Sequence, residues 1–394
     1  MARTEEVQAR PRARWVPIAG VLVVVIGLLF GVPWWQLVVG GQAWPGWVVA
    51  LGSAVFLAGA VGLLLGMTAG HGKRRSDAGA VVGDTLLGAA WVVFTWTVVG
   101  VLAELALAVA GVADPLRSRV VTVGVVVVAA VLLAHGYREA MRVPRIRRTD
   151  VWLDRLGPGL DGLRVVVLAD THFGPLDRAE WSRRTMDAVA ALEPDLLVHA
   201  GDIADGPVER RRPQSEHMGR LTARYAKVYV TGNHEYFSGA PSWVDHMAEL
   251  GWTHLHNSHL VVERGGDRLV VAGVDDRTAR SAGVDGHGED LDAALLGADA
   301  VVPVFLVAHQ PKQVAAAVEH GVDLQVSGHT HGGQIWPFHW LVRTDQPHLQ
   351  GLARAGGRTW IYTSRGAGFW GPPFRVFAPS EISVLTLRSG PAAG

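Results

Sequence analysis

The sequence predicts an α/β protein in two parts. A region of about four transmembrane helices occupies residues 1–149, and a layered α/β domain occupies residues 150–394. Three observations carry this reading. No Asp, Glu, Lys or Arg occurs from Trp15 to Gly72, a run of 58 residues, whereas one bilayer-spanning helix needs only about 20 apolar residues. Eight short, apolar, β-branched runs recur beyond residue 160, which is the mark of buried strands. And 15 of the 17 histidines lie after residue 150, so the two parts do different work.

Composition sets the outer limits. Lys+Arg and Asp+Glu both number 36, a balance that gives no electrostatic pointer to nucleic acid. Charged residues are 18% of the chain, against roughly 25% in an average soluble protein, and the mean hydropathy is +0.21. A disordered chain is excluded, and a wholly soluble one is disfavoured. There is no cysteine, hence no disulfide framework and no thiolate metal site. Any metal must be held by nitrogen and oxygen donors.

The long uncharged run divides in the middle. Pro33-Trp34-Trp35 and Trp44-Pro45-Gly46-Trp47 interrupt it; Trp favours the membrane–water interface, and Pro and Gly punctuate. Helices are therefore expected near 16–32 and 48–69. Thr85–Ala103 and Val120–Tyr137 form a third and fourth uncharged span, with Glu104 at the interfacial end of the third. A cleaved signal peptide is disfavoured, because three further spans follow the first. Arg3, Arg10, Arg12 and Arg14 precede the first span, Lys73, Arg74 and Arg75 follow the second, and Arg138, Arg142, Arg145, Arg147 and Arg148 follow the fourth. The other side carries only Arg117 and Arg119. The positive-inside bias then puts both termini, and the domain beyond the fourth span, in the cytoplasm of a multi-pass membrane protein. The spans lack intramembrane charge pairs, so anchoring is expected rather than transport. The basic stretch Arg145–Arg148 abuts the membrane, where it can attract anionic lipid.

In the second part the runs are Leu163–Leu168, Leu196–His199, Val228–Val230, Leu269–Ala272, Val304–Val307, Leu324–Val326, Trp360–Tyr362 and Ile382–Leu387. Between the first two, Ala179–Leu192 places Trp181, Met186, Val189 and Leu192 at helical spacing. Strand–helix–strand is the signature of a layered α/β domain. Polar motifs follow five of these strands: Asp170-Thr171-His172, Gly201-Asp202, Gly232-Asn233-His234-Glu235, Ala308-His309 and Gly328-His329-Thr330-His331. Ligands of open α/β sheets sit beyond the carboxyl ends of strands. A lone Asp-x-His or Gly-Asp is an ordinary turn or cap. Five such motifs in order, each leaving a strand, point to one site.

This ordered set resembles the calcineurin-like metallophosphoesterase superfamily. The resemblance covers roughly residues 160–390. With the hydrophobic N-terminal spans, Gly332-Gly333-Gln334 after the last motif, and the tail Ser364-Arg365-Gly366-Ala367-Gly368 followed by Pro373-Phe374-Arg375, it is similar to the bacterial YkuE/YaeI-type members. The resemblance implies a two-sheet sandwich flanked by helices, holding two metal ions. It implies that Asp170, His172 and His331 bind one ion, that Asn233, His309 and His329 bind the other, and that Asp202 bridges them. His234 would face the phosphate as the catalytic acid. The chemistry agrees: two cations ~3.5–4 Å apart neutralise a phosphate ester and activate water. Nitrogen and oxygen donors suit Mn, the first choice here, or Fe, Zn and Mg. Asp205 and Glu235 are expected to orient ligands.

Arg365, in a Gly-rich loop, is a candidate to grip the substrate phosphate. His254, His256 and His259 have no strand-end glycine or carboxylate beside them and are expected to be ordinary histidines. Asp275 and Asp276 are expected to be structural or ligand-supporting, and Arg210–Arg212 to form a solvated face. The expected function is a membrane-anchored metal-dependent phosphoesterase acting on a phosphomono- or phosphodiester. Its partners are membrane lipids and a phosphoester substrate, which a phospholipid, a lipid-linked phosphate, a nucleotide or a cyclic nucleotide diester would each satisfy; anchoring at the bilayer favours the lipid esters, and no nucleic acid is indicated. The alternative is an inactive membrane sensor or binding protein on the same fold.

Overall fold

The computed structural model describes residues 15–390, so the basic tail Arg3–Arg14 lies outside the described residues. The helices come first. α1 (Trp15–Ile26) runs on through π- and α-helical turns to Val39. Pro33 does not end it, because proline is tolerated in the first turn of a new helical segment. α2 (Gly46–Gly70), α3 (Asp77–Val109) and α4 (Leu116–Met141) are each long and apolar enough to cross a membrane, and Val23–Val39 is a shorter apolar helix. Glycines let α2 and α3 approach closely: an added Cβ at Gly66 would lie 2.5 Å from the Gly83 backbone nitrogen, the small-residue packing expected of membrane helices. The third and fourth helices extend well beyond the uncharged cores at 85–103 and 120–137, because their polar ends stand on the second domain.

Two six-stranded sheets make up that domain. One has the order β1 (Arg145–Leu153), β12 (Glu381–Ser389), β2 (Leu163–Leu168), β3 (Leu196–His199), β4 (Ala226–Tyr229), β5 (Thr253–His254). The other has β10 (Gly351–Gly356), β11 (Thr359–Thr363), β9 (Leu324–Ser327), β8 (Val304–Val307), β7 (Asp267–Gly273), β6 (Ser258–Arg264). β2, β3, β4 and β5 are parallel, as are β7, β8, β9 and β11; β12 is antiparallel to β2, and β6 to β7. Successive side chains alternate faces, so one residue set fills the sandwich and the other meets helices. Val165, Val167, Val198 and Val228 pack inward against Leu269, Val271, Phe305 and Val326. Val166, Leu168 and Leu197 face outward on to Trp181, Met186 and Val189 of α5 (Ala179–Ala190).

The structure moves the expected boundary at 149/150. β1 runs across it, pairing parallel with β12 from Arg145 to Leu153. Arg145, Arg147 and Arg148 are thus strand residues; their exposed side chains disguise an edge strand as a basic juxtamembrane segment. The membrane helices also share a core with the domain, in which Val92 and Ala129 pack with Ile335, Phe374 and Val376.

Candidate metal centre and active site

The carboxyl ends of β2, β3, β4, β8 and β9 converge, and the loops leaving them carry the polar motifs. Asp170, His172, Asp202, His329 and His331 all have φ between 41° and 71°. Non-glycine residues held there cost ~1–3 kcal/mol each and persist only where the surroundings enforce them. Five such residues at one point mark a site. The backbone is correspondingly crowded: a Cβ on Gly232 would lie 2.2 Å from Asp202 Oδ1.

His172, His309 and Asp170 are set for ligation. His172 donates Nδ1–H to Asp205 Oδ1 at 2.9 Å, and His309 donates Nδ1–H to the Ala200 carbonyl at 2.7 Å. Each Nε2 is thereby left facing the centre. His172 Nε2 lies 3.1 Å from His331 Nε2 and 3.6 Å from Asp202 Oδ2. His309 Nε2 lies 3.2 Å from both Asn233 Oδ1 and Asp202 Oδ2. Asp170 is completely buried, and its Oδ2 has no hydrogen-bond partner. Asp170, His172 and His331 present ligand atoms to one point, and Asp202, His309 and His329 to another. An orphaned buried carboxylate oxygen and opposed imidazole nitrogens are what two cations would satisfy.

Charge tells the same story. Burial raises the Asp170 carboxyl to about 6. Asp202 is equally buried, yet His309, His234 and His172 pull it well below the ordinary carboxylate range. Burial disfavours charge on His309, but Asp202 and Asp170 hold it up to about 10. His234 is likewise desolvated, and Asp202 and Asp205 keep it up to about 9. Burial leaves His329 and His331 with lowered pKa values and therefore neutral, with the Arg375 charge adding to the effect at His331. The carboxylates thus demand positive charge, which cations would supply while displacing those protons.

Neighbouring groups hold the ligands in place. His234 donates Nδ1–H to Asp205 at 2.6 Å, so Asp205 orients both His172 and His234. Asp202 Oδ1 accepts the His234 backbone N–H at 2.8 Å. Glu235 accepts the backbone N–H groups of Asp202, Ile203, Ala204 and Gly232, fixing two motif loops. Burial raises its pKa, and the Gly232 and Ile203 donors pull the other way. Arg375 was legible only as part of a tail motif. It is completely buried, donates Nη1–H to the His331 carbonyl, and its own N–H bonds Gly136 O of α4.

A cavity of about 680 Å³ opens over His172, Asp202, Asn233, His234, His329 and His331. One wall comes from the membrane helices: Gly70, His71, Arg75, Asp77, Ala80, Val81 and Asp84. Arg178 and Arg211 also line it. Arg178 is sandwiched between Trp181 and Phe369, 4.4 and 4.3 Å from the ring centroids. Arg211, on α6 (Val208–Ser215), grips Asp77 with two bonds of 2.6 and 3.0 Å, so the expected solvated face is instead a tie to α3. Arg365 is not brought to the cavity. Its Nε donates to Gln350 at 2.7 Å and lies 3.8 Å from Glu381. His259 bonds the Ala294 carbonyl, and Asp276 accepts from Gln310, the neighbour of His309.

Two converging donor sets on a two-sheet α/β sandwich form a candidate two-metal centre. The calcineurin-like phosphoesterase family model matches residues 163–333, and the chain belongs to this family. A Danio rerio transmembrane protein with metallophosphoesterase domain is 35% identical over 273 residues, spanning 68% of this chain and 62% of that protein. An uncharacterized metallophosphoesterase of Helicobacter pylori is 38% identical over 254 residues, spanning 64% of this chain and 66% of that one. The chain thus spans just under two thirds of these relatives. YkuE of Bacillus subtilis, also a metallophosphoesterase by name, is 29% identical over 265 residues, 65% of this chain and 90% of its own.

Proposed function

We propose that this protein is a membrane-anchored, two-metal-dependent phosphoesterase that hydrolyses an amphiphilic phosphomono- or phosphodiester, with a phospholipid or lipid-linked ester as the substrate class. The observation that carries the lipid part is the shared cavity, in which the polar donor centre and the start of α3 face one space. Phe237, Phe338, Phe369 and Trp370 supply apolar lining beside it. Trp340 and Leu341, on α7 (His339–Asp345), are 63% and 53% exposed next to the helix-packed Trp336 and Phe338. Such a rim suits a substrate whose phosphate enters the centre while its apolar part stays at the bilayer.

Asp170, His172 and His331 would hold one ion and Asn233, His309 and His329 the other, with Asp202 between them. Two such ions neutralise the phosphate and lower the pKa of attacking water. Mn²⁺ is the first choice, and Fe, Zn and Mg fit the same donors. His234, whose ring is hydrogen-bonded to Asp205, would give its proton to the leaving oxygen. Asp205 holds the His234 ring for that transfer. Arg178 and Arg211 add positive charge at the cavity wall, and Arg365 has no part in this scheme. The cavity lies on the side of Lys73–Arg75, so the positive-inside bias supports a cytoplasmic site.

The test is turnover by the full chain in detergent or lipid nanodiscs, with Mn²⁺, Fe²⁺, Zn²⁺ or Mg²⁺ supplied in turn. Generic mono- and diesters are compared with phospholipid and polyprenyl phosphate substrates. Hydrolysis that is lost on chelation and favours the lipid esters is expected. No hydrolysis with any metal overturns the enzyme reading, and equal rates on soluble and lipid esters overturn the lipid part.

A further inference from the structure

A second constellation of metal-ligating side chains stands apart from the two donor sets above. His254 ends β5, His256 follows two residues later, and Asp275 leaves β7. Asp275 is completely buried. His256 Nδ1 lies 2.8 Å from Asp275 Oδ1 and His254 Nε2 lies 3.9 Å from the same oxygen. His287 Nδ1 approaches the other oxygen at 3.3 Å. The arrangement is built rather than incidental. The His254 ring stacks on Tyr229, centroids 4.8 Å apart at 18°, which aims Nε2 at Asp275, and that nitrogen has no hydrogen-bond partner. Asn257 ties the loops together: its Oδ1 accepts the N–H groups of Asp275 and Asp290, and its Nδ2 donates to the Gly288 carbonyl. His287 and the Gly288 N–H hold Asp275 Oδ2, and the Tyr236 hydroxyl lies 3.0 Å from His287 Nδ1.

We infer that His254, His256 and Asp275 form a third metal site, for a single Zn²⁺ or similar transition ion, with His287 steadying the carboxylate. Two imidazoles and a carboxylate are a zinc donor set that leaves a fourth position open. Bonds of ~2.0–2.2 Å in a tetrahedron require donor atoms about 3.3–3.6 Å apart, a spacing that the observed 2.8 and 3.9 Å bracket. The His256 side chain is 41% exposed, which gives an ion a way in. Sequence alone pointed the other way, since the carboxylate comes from a strand end 19 residues after His256.

The experiment counts zinc bound to the full-length, metal-stripped protein in detergent at fixed free Zn²⁺. Wild type is compared with a His254→Gln/His256→Gln double variant, with the single His256→Gln, and with Asp202→Asn. The double variant is expected to bind one ion fewer than wild type, and His256→Gln to reach full occupancy only at higher free zinc. An ion retained by Asp202→Asn should vanish when the two histidine changes are added. This readout does not depend on how many ions the main centre holds, so its failure is separable from failure of the phosphoesterase reading. Equal zinc binding by wild type and His256→Gln at every free concentration, with unchanged circular dichroism, overturns the proposal.

Discussion

Gly232→Ala is the sharpest probe of the main centre. The backbone there has φ −101° and ψ −176°, which alanine adopts without strain, so the effect is steric alone. The new Cβ would stand 2.2 Å from Asp202 Oδ1 and 2.4 Å from Asp202 N, whereas ordinary contact starts at 3.4 Å. The Asp202 carboxylate, proposed to lie between the two ions, has to retreat by about 1 Å, a misplacement that costs on the order of 10²-fold when it falls on catalytic geometry. It has little room to do so, because Oδ1 accepts the His234 N–H at 2.8 Å and Oδ2 lies 3.2 Å from His309 Nε2. We expect kcat/KM on a chromogenic phosphoester to fall roughly 10²-fold, equivalent to ~2.7 kcal/mol, with a reduced metal content per chain. Gly124→Ala is the matched control: nothing lies within 4 Å of its Cβ, in the middle of α4. Unchanged turnover in Gly232→Ala, with wild-type metal content, would refute the placement of Asp202 between the ions.

The other expectations separate binding from proton transfer. Asp202→Ala should lose both ions and fall further in activity than His329→Ala, which touches one; metal analysis beside turnover checks this, and equal losses would count against a bridge. His234→Ala should keep its metal while turnover drops roughly 10²–10⁴-fold, the range of a general acid; loss of both ions would make His234 a ligand instead. For sidedness, a C-terminal fluorescent protein should be bright and a C-terminal alkaline phosphatase silent, and strong phosphatase activity there would place the site outside the cytoplasm.

How much of this could be read in the sequence follows from where the information sits. β2, β3 and β8 have the bounds expected from their apolar runs, because nearly every residue of each is buried, on both faces of the strand. β1 escaped notice because its first four residues, Arg145 to Arg148, are all exposed at a sheet edge and carry no apolar alternation. The candidate ligand residues could be picked out because each leaves its strand in a short local motif, and the strands bring the motifs together in order. The cavity wall was not. Asp77 and Arg211 are 134 residues apart and meet only when the start of α3 docks on α6. The same holds for Arg375, which joins the His331 carbonyl to Gly136 of a membrane helix. These contacts change what the N-terminal region is. A tether would need only to be apolar, and its helices could be exchanged for any others. Here α3 contributes cavity residues, α3 and α4 share an apolar core with the domain, and α4 holds Arg375 and through it the His331 carbonyl. The membrane region is therefore part of the site's architecture.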